Sequence, residues 1–473
     1  MTRFLLSFVV LMATLVMPAR TQAFTLAGEI PAWFDDNRGL SPFDLYGPVN
    51  LGEEYRWSIP TIHYGFDESF LNYFGQRGVD EVDKAIQILN ALPAMSNVNL
   101  ADYPMHSQRV NFRARDLSML DVKSEVLSVL MEELGLMYPG RFVFTLRNRW
   151  TVDQGTNYYV MQRNFDPETW EISPYINGNL WTYLSIYDNQ DAALKATPLN
   201  RPVDPLILGE PVASTVKALA YNVYSFGSFY TGLTRDDIGG LRYMYRRDNL
   251  NVENLPADAI ASAGLLLGGG GGGWVGIPGI VETNAPADPT DPGTGNPTPG
   301  GNFFTEAYRG GIDKLQFVRV PNVIFSGGYS ITNRYTESIQ IITNGTIRQV
   351  NQTVQRAITV PDILFSAADL VVEGAPPVNN LLRRTEAATS NDAINGQEGL
   401  DGPGQIGPGG AGPVVIALNK VGPLFFNAQP SFLSEPGILD FVWGSFDGST
   451  NEPAVYPTGT SIRAIEARVF GTR

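Results

Sequence analysis

Between residues 79 and 92 the apolar positions Val82, Ala85, Ile86 and Leu89 recur every three or four residues, which places them on one face of a helix. Asp80, Glu81 and Asp83 lie in its first turn, where carboxylates suit the positive end of the helix dipole. A longer helix is predicted over 119–134, with Val126, Leu127, Leu130, Met131 and Leu134 as its buried stripe. Ser118 and Asp121 stand at capping-box spacing at its start, and Gly135 is placed to stop it. Pro211 opens a third helix over 211–224. Thr234 and Asp237 cap a fourth over 234–246, whose end carries Arg242, Arg246 and Arg247. Strands are predicted over 55–64, 141–146, 157–162 and 180–187.

After residue 302 the pattern changes to short β-prone runs at 315–320, 329–333, 338–343, 357–360, 414–418 and 464–470, separated by turn residues and without a predicted helix. Val320-Pro321-Asn322-Val323-Ile324-Phe325-Ser326 recurs as Val360-Pro361-Asp362-Ile363-Leu364-Phe365-Ser366, which reads as two strands in equivalent places, each entered through a proline turn. The stretch 264–301 holds the run Gly268 to Gly273 and a Pro-Asp-Thr-rich tail; it buries little and reads as a flexible linker. A second break covers 401–413, where Gly404, Gly407 and Gly410 fall at collagen spacing but too few triplets follow, so a long loop is predicted. The expected fold class is an α+β N-terminal domain over 24–263 followed by an all-β, sandwich-like C-terminal domain over 302–473.

Composition adds a compartment. Residues 1–23 follow the plan of a cleavable signal peptide: Arg3, an apolar stretch from Leu5 to Met17, then Thr21-Gln22-Ala23 before the cut. The apolar stretch is short for a bilayer span, and no later segment is long and apolar enough for one. The formal charge of −15 moves to near −17 when Arg3 and Arg20 leave with the signal, which argues against nucleic acid and anionic lipid as partners. With no cysteine there are no disulfides, thiolate nucleophiles or Cys-based metal sites. An exported, cysteine-free chain of 473 residues with 43% hydrophobic positions relies on its core and reads as a bacterial extracellular or cell-surface protein, with the periplasm as the other exported location.

Candidate chemistry is sparse. His63 and His106 are the only histidines and stand too far apart for a single-helix zinc motif. No G-x-S-x-G elbow occurs, and Asp447-Gly448-Ser449 has the composition of an aspartic-protease loop in the wrong order. Glu132 and Glu133 are adjacent, so one is expected to face solvent. Asp188 and Asp191 lack the calcium-loop pattern. Trp181, Tyr183 and Tyr187 alternate along a strand, either as a sugar-stacking platform or, preferred, as a packed sheet face.

Three segments together resemble the matrixin branch of the metzincin proteases: Tyr55-Arg56-Trp57-Ser58-Ile59-Pro60-Thr61-Ile62-His63-Tyr64, the helix over 79–92, and Leu233-Thr234-Arg235-Asp236-Asp237-Ile238-Gly239-Gly240-Leu241-Arg242-Tyr243-Met244-Tyr245. Met131-Glu132-Glu133-Leu134-Gly135-Leu136-Met137-Tyr138-Pro139 echoes words of the family's zinc region without any ligand, and the helix over 211–224 holds Lys217, Leu219, Ala220 and Tyr221 but no histidine. The resemblance implies a related fold whose zinc site is missing, so no catalytic, cofactor-binding or metal residue is assigned and no cofactor is expected. The expected function is a non-catalytic binding or structural protein acting on an extracellular protein or polysaccharide. The alternatives are a zinc-dependent hydrolase with an atypical site and a carbohydrate-binding surface protein.

Overall fold

The computed structural model describes residues 24–26, 55–136, 143–152, 155–162, 164–189, 195–203, 226–256, 258–263, 282–283, 303–321, 330–343, 345–371, 388–389, 404–406, 413–418 and 442–471. They form a mixed α and β structure built from several small sheets. At its centre four strands run parallel in the order Gln316–Arg319, Thr61–Phe66, Ile363–Ser366, Val414–Ala417. Ile363–Ser366 and Val414–Ala417 are nearly continuous apolar runs, as expected of parallel strands covered on both faces, whereas Gln316–Arg319 at the edge leaves Gln316 and Arg319 exposed. The predicted β-sandwich would instead pack antiparallel sheets, and this central sheet is not of that kind. The helix Glu68–Asn90 follows the second strand directly, capped by Asp67, whose carboxylate accepts from Phe70 N at 2.8 Å. A break at Gly75 (φ 59°, ψ −165°) separates a first segment that buries Phe70 and Phe74 from the segment that carries the predicted stripe of Val82, Ala85, Ile86 and Leu89.

The sheets cross the boundary expected at 264–301. Thr61–Phe66 has a neighbour on each side from beyond residue 302. Tyr55–Trp57 pairs parallel with Gly404–Ile406, a strand inside the stretch predicted as a loop. Met119–Asp121 pairs parallel with Val442–Ser445. One hydrophobic cluster accordingly joins Trp57, Phe66, Phe70, Leu130 and Met244 to Phe317, Phe365, Ile416 and Trp443. Within the expected linker, Glu282–Thr283 pairs with Phe303–Phe304, and the remainder lies outside the described residues.

Local differences from the sequence reading have physical causes. The strand over 55–64 is divided at Pro60, which has no N–H for a ladder. The helix predicted from 119 begins at Val122, because Met119–Asp121 is taken up as a strand beside Val442–Ser445. Its cap is therefore Asp121 and not Ser118, which sits at φ 53°. Gly135 does end it, at φ 96°, where a Cβ would stand 1.8 Å from the Tyr55 carbonyl oxygen. Residues 464–470 belong to the helix Ile462–Phe470, capped by Ser461, with Ile462 and Ile465 buried at helical spacing. Residues 331–333 of the run 329–333 and all of 338–343 are parts of one strand, Ile331–Thr343, while residue 329 lies outside the described residues. The helix predicted over 211–224 and most of the first repeat copy lie outside the described residues; the second copy supplies the strand Ile363–Ser366.

The helix Arg235–Tyr245 carries the expected capping box between Thr234 and Asp237. Gly239 lets Pro167 close onto it, and Arg246 stacks over the Trp170 ring at 3.8 Å.

Asp121 gives the fold a measurable pH dependence. It is fully buried and accepts from Ser124 N at 3.0 Å and Ser124 Oγ at 2.5 Å. Burial pushes its carboxyl up to about 6, against the Ser124 hydrogen bonds. Because the folded pKa lies above the unfolded one, the linked stability is complete below about pH 4 and is lost as pH rises through about 6. Asp121→Asn, which keeps a capping oxygen, is expected to abolish this slope. Urea unfolding should show the wild type losing roughly 2 kcal/mol relative to the variant between about pH 4 and 7. Parallel curves for the two proteins would remove Asp121 as the cause.

Candidate functional site

The two longest uniformly paired strands form a hairpin, Ile331–Thr343 with Thr346–Ile358, in register from Ile331 opposite Ile358 to Thr343 opposite Thr346. Gly345 turns the chain at φ 73°, a conformation open to glycine at little cost. The period of two sends Ile339, Ile341, Val350, Val354 and Ile358 into the core. The opposite face carries the cross-strand pairs Thr336–Thr353, Ser338–Asn351, Gln340–Gln349 and Arg334–Gln355. Thr332, Arg334, Thr336, Ser338, Gln349 and Asn351 are exposed. Gln349 Nε2 donates to Ser338 Oγ at 2.6 Å, and Arg334 Nε donates to Gln355 Oε1 at 2.8 Å, so side chains are organised across the two strands. No carboxylate of these two strands lies on this face, in a chain with 48 Asp and Glu residues; the face continues onto the neighbouring strand Glu306–Arg309, where Tyr308 pairs with Gln340 and Glu306 follows on the same side.

The hairpin's carboxylate and its buried arginine point the other way and hold it in place. Glu337 accepts from Arg309 Nε at 2.9 Å and from Gln352 Nε2 at 2.5 Å. Gln352 also joins Phe304, accepting from its N at 3.0 Å and donating to its O at 2.8 Å. Arg356, buried near the base, donates to Asp362 Oδ1 at 2.6 Å and forks onto Asp258 with two bonds of 2.9 Å. Burial opposes the charge on Arg356, but these two carboxylates raise its pKa overall. Burial alone would raise Asp362; His63 and Arg356 together hold it below the usual carboxylate range. Behind this layer Arg309 presents its carbonyl to Arg56 Nη2 at 3.1 Å, and Arg56 Nε reaches Glu253 Oε1 at 2.8 Å. A platform fixed through its inner face is a rigid base for its outer one.

His63 takes part in this anchoring. It lies buried in the central strand, where its backbone N donates to Asp362 Oδ2 at 2.7 Å and its Nδ1 stands 3.4 Å from the same oxygen. His106 is exposed in the loop before Gln108–Val110. Among the described residues no group of three or more His, Asp or Glu is placed to hold a metal ion. Glu132 and Glu133 are both buried, correcting the expectation that one faces solvent, because the helix Val122–Glu133 is covered on nearly every side. Trp181 packs with Val143 and Ile176, while Tyr183 remains 42% exposed. Asp188 falls in the strand Asn179–Asn189, and Asp191 lies outside the described residues. Asp447 and Ser449 form an exposed turn, Ser449 N donating to Asp447 Oδ1 at 2.9 Å.

Sequence reasoning missed Arg309, Glu337, Gln352 and Arg356 because their partners are distant in the chain. The outer face was not legible either, because polar and apolar positions do not alternate cleanly from 331 to 343: Asn333 and Glu337 are polar at inward positions and Ile342 is apolar at an outward one. Among the described residues no helix is long and apolar enough to cross a membrane. No family model matches the chain, and neither a curated protein nor a solved structure matches it.

Proposed function

We propose that this chain is an exported, non-catalytic binding protein of the bacterial cell exterior that presents the outer face of its long hairpin to a ligand. The observation that carries this reading is the sidedness of the hairpin: ionic anchors inside, an ordered carboxylate-free polar surface outside. Kinship with a matrixin-type domain that lacks its zinc site is part of the proposal. Its support is that the segments bearing the resemblance touch: Tyr245 Oη donates to Leu134 O at 3.0 Å, and Trp57 Nε1 donates to Glu133 O at 2.7 Å. Export is consistent with Phe24, the first residue after the expected cut, packing its ring 5.5 Å from that of Tyr243.

The test is to express the full chain in a bacterial host, isolate the exported form and measure its binding to washed cells. Its mass should start at Phe24, and Thr336→Glu with Asn351→Glu should reduce cell binding at least tenfold without lowering the melting temperature. Cell binding equal to wild type in that variant would refute the assigned face. Stoichiometric zinc with peptidase activity, both lost in His63→Ala with His106→Ala, would favour the hydrolase instead.

A further inference from the structure

We infer that the ligand of the hairpin face is an uncharged, hydroxyl-rich polymer, that is, a neutral polysaccharide. The inference rests on the binding reading above and adds the chemical class. Hydroxyl and amide side chains both donate and accept hydrogen bonds, whereas a carboxylate only accepts and a guanidinium only donates. Thr336, Ser338, Gln349, Asn351 and Thr353 are all of the first kind and occupy the middle of the face. Sugar hydroxyls have the same dual character, so such a surface satisfies them in either orientation. Outward positions repeat about every 7 Å along each strand and about 5 Å between strands, a flat lattice suited to an extended chain.

Other partners fit less well. An anionic polymer would meet Arg334 as the face's cation within a chain of charge −15. A protein interface would centre on a cluster of aromatic or apolar anchors, whereas the apolar groups of the hairpin here are Ala357 and the tip pair Ile342 and Ile347, with Tyr308 of the neighbouring strand beside Gln340 as a single ring at the edge, free to stack on a sugar. Each sugar contact is exposed and individually weak, so a polymer engaging many positions is required for retention.

Affinity electrophoresis of the full chain in gels containing mixed-linkage β-glucan, galactomannan or dextran, with alginate as the anionic comparison, tests this. Retardation is expected on at least one neutral polymer and not on alginate. Thr336→Glu with Asn351→Glu should weaken it at least tenfold, and Ser338→Ala with Gln349→Ala at least threefold. Thr450→Glu, on an exposed turn elsewhere, should leave it unchanged. Absence of retardation on every neutral polymer, or retardation indifferent to the hairpin variants, overturns the inference. If cell binding still depends on the hairpin while no neutral polymer retards the protein, the ligand class is wrong and the binding reading stands. If sedimentation shows a dimer that the glutamate variant dissociates, and no polymer binds, the face belongs to a second copy of the chain.

Discussion

Expressed without the rest of the chain, residues 24–263 are expected to give no cooperatively folding protein, and 302–473 are expected to behave likewise. The strand Thr61–Phe66 is paired on both edges by segments from beyond 302, and Ile363–Ser366 needs it in return. A parallel strand stripped of both neighbours exposes two rows of unpaired N–H and C=O groups and an apolar face made for burial. The core loses Phe317, Phe365, Ile416 and Trp443 at the same time. Removing several fully buried large side chains costs about 3–5 kcal/mol each, against a total stability of about 5–15 kcal/mol. Co-expression of the two pieces should restore a non-covalent complex that elutes as one species. Protease cleavage within 264–301 should likewise leave both fragments together. A cooperative thermal transition for 24–263 in isolation, with native near-ultraviolet dichroism, would show that the shared sheets are not required.

Arg56→Met is expected to be the most damaging single polar substitution. The guanidinium is wholly buried and donates to Glu253 Oε1 at 2.8 Å, to Met244 O at 2.9 Å, to Asn249 O at 2.8 Å and to Arg309 O at 3.1 Å. Burial already pushes the Glu253 carboxyl above its ordinary value despite Arg56, and its Oε2 has no hydrogen-bond partner. Removing the cation leaves this carboxylate dry and takes a donor from three carbonyls, of which Met244 O keeps a 3.4 Å bond from Asn249 Nδ2, a loss of about 3–5 kcal/mol. The double variant Arg56→Met with Glu253→Met should recover part of that loss, because the uncompensated charge is gone. Urea unfolding midpoints of the wild type, both single variants and the double variant measure the coupling. Additive single effects would show that the pair is not a unit.

Local chemistry was legible where its partners lie within a few residues. The Thr234–Asp237 capping box, the stop at Gly135 and the apolar stripe of Val82, Ala85, Ile86 and Leu89 all follow from short-range sterics and hydrogen bonding, and all appear in the structure. Which side of the hairpin would be wet was not legible in this way, because Glu337, Gln352 and Arg356 are polar at inward positions and Ile342 and Ile347 apolar at outward ones. What the linear order could not show is which strands are neighbours. The composition break at 264–301 suggested separate domains, yet parallel pairing sets no limit on sequence distance and joined residues about three hundred positions apart, such as Tyr64 and Ile363. Pairing also overruled propensity at Met119–Asp121, taken from a predicted helix into a sheet beside Val442–Ser445. The anchoring charges were decided at the same level. Arg56, Glu253, Arg309, Glu337, Arg356 and Asp362 are ordinary surface residues in the sequence, and only folding brings them into water-excluded contact, where each carries the others' charge.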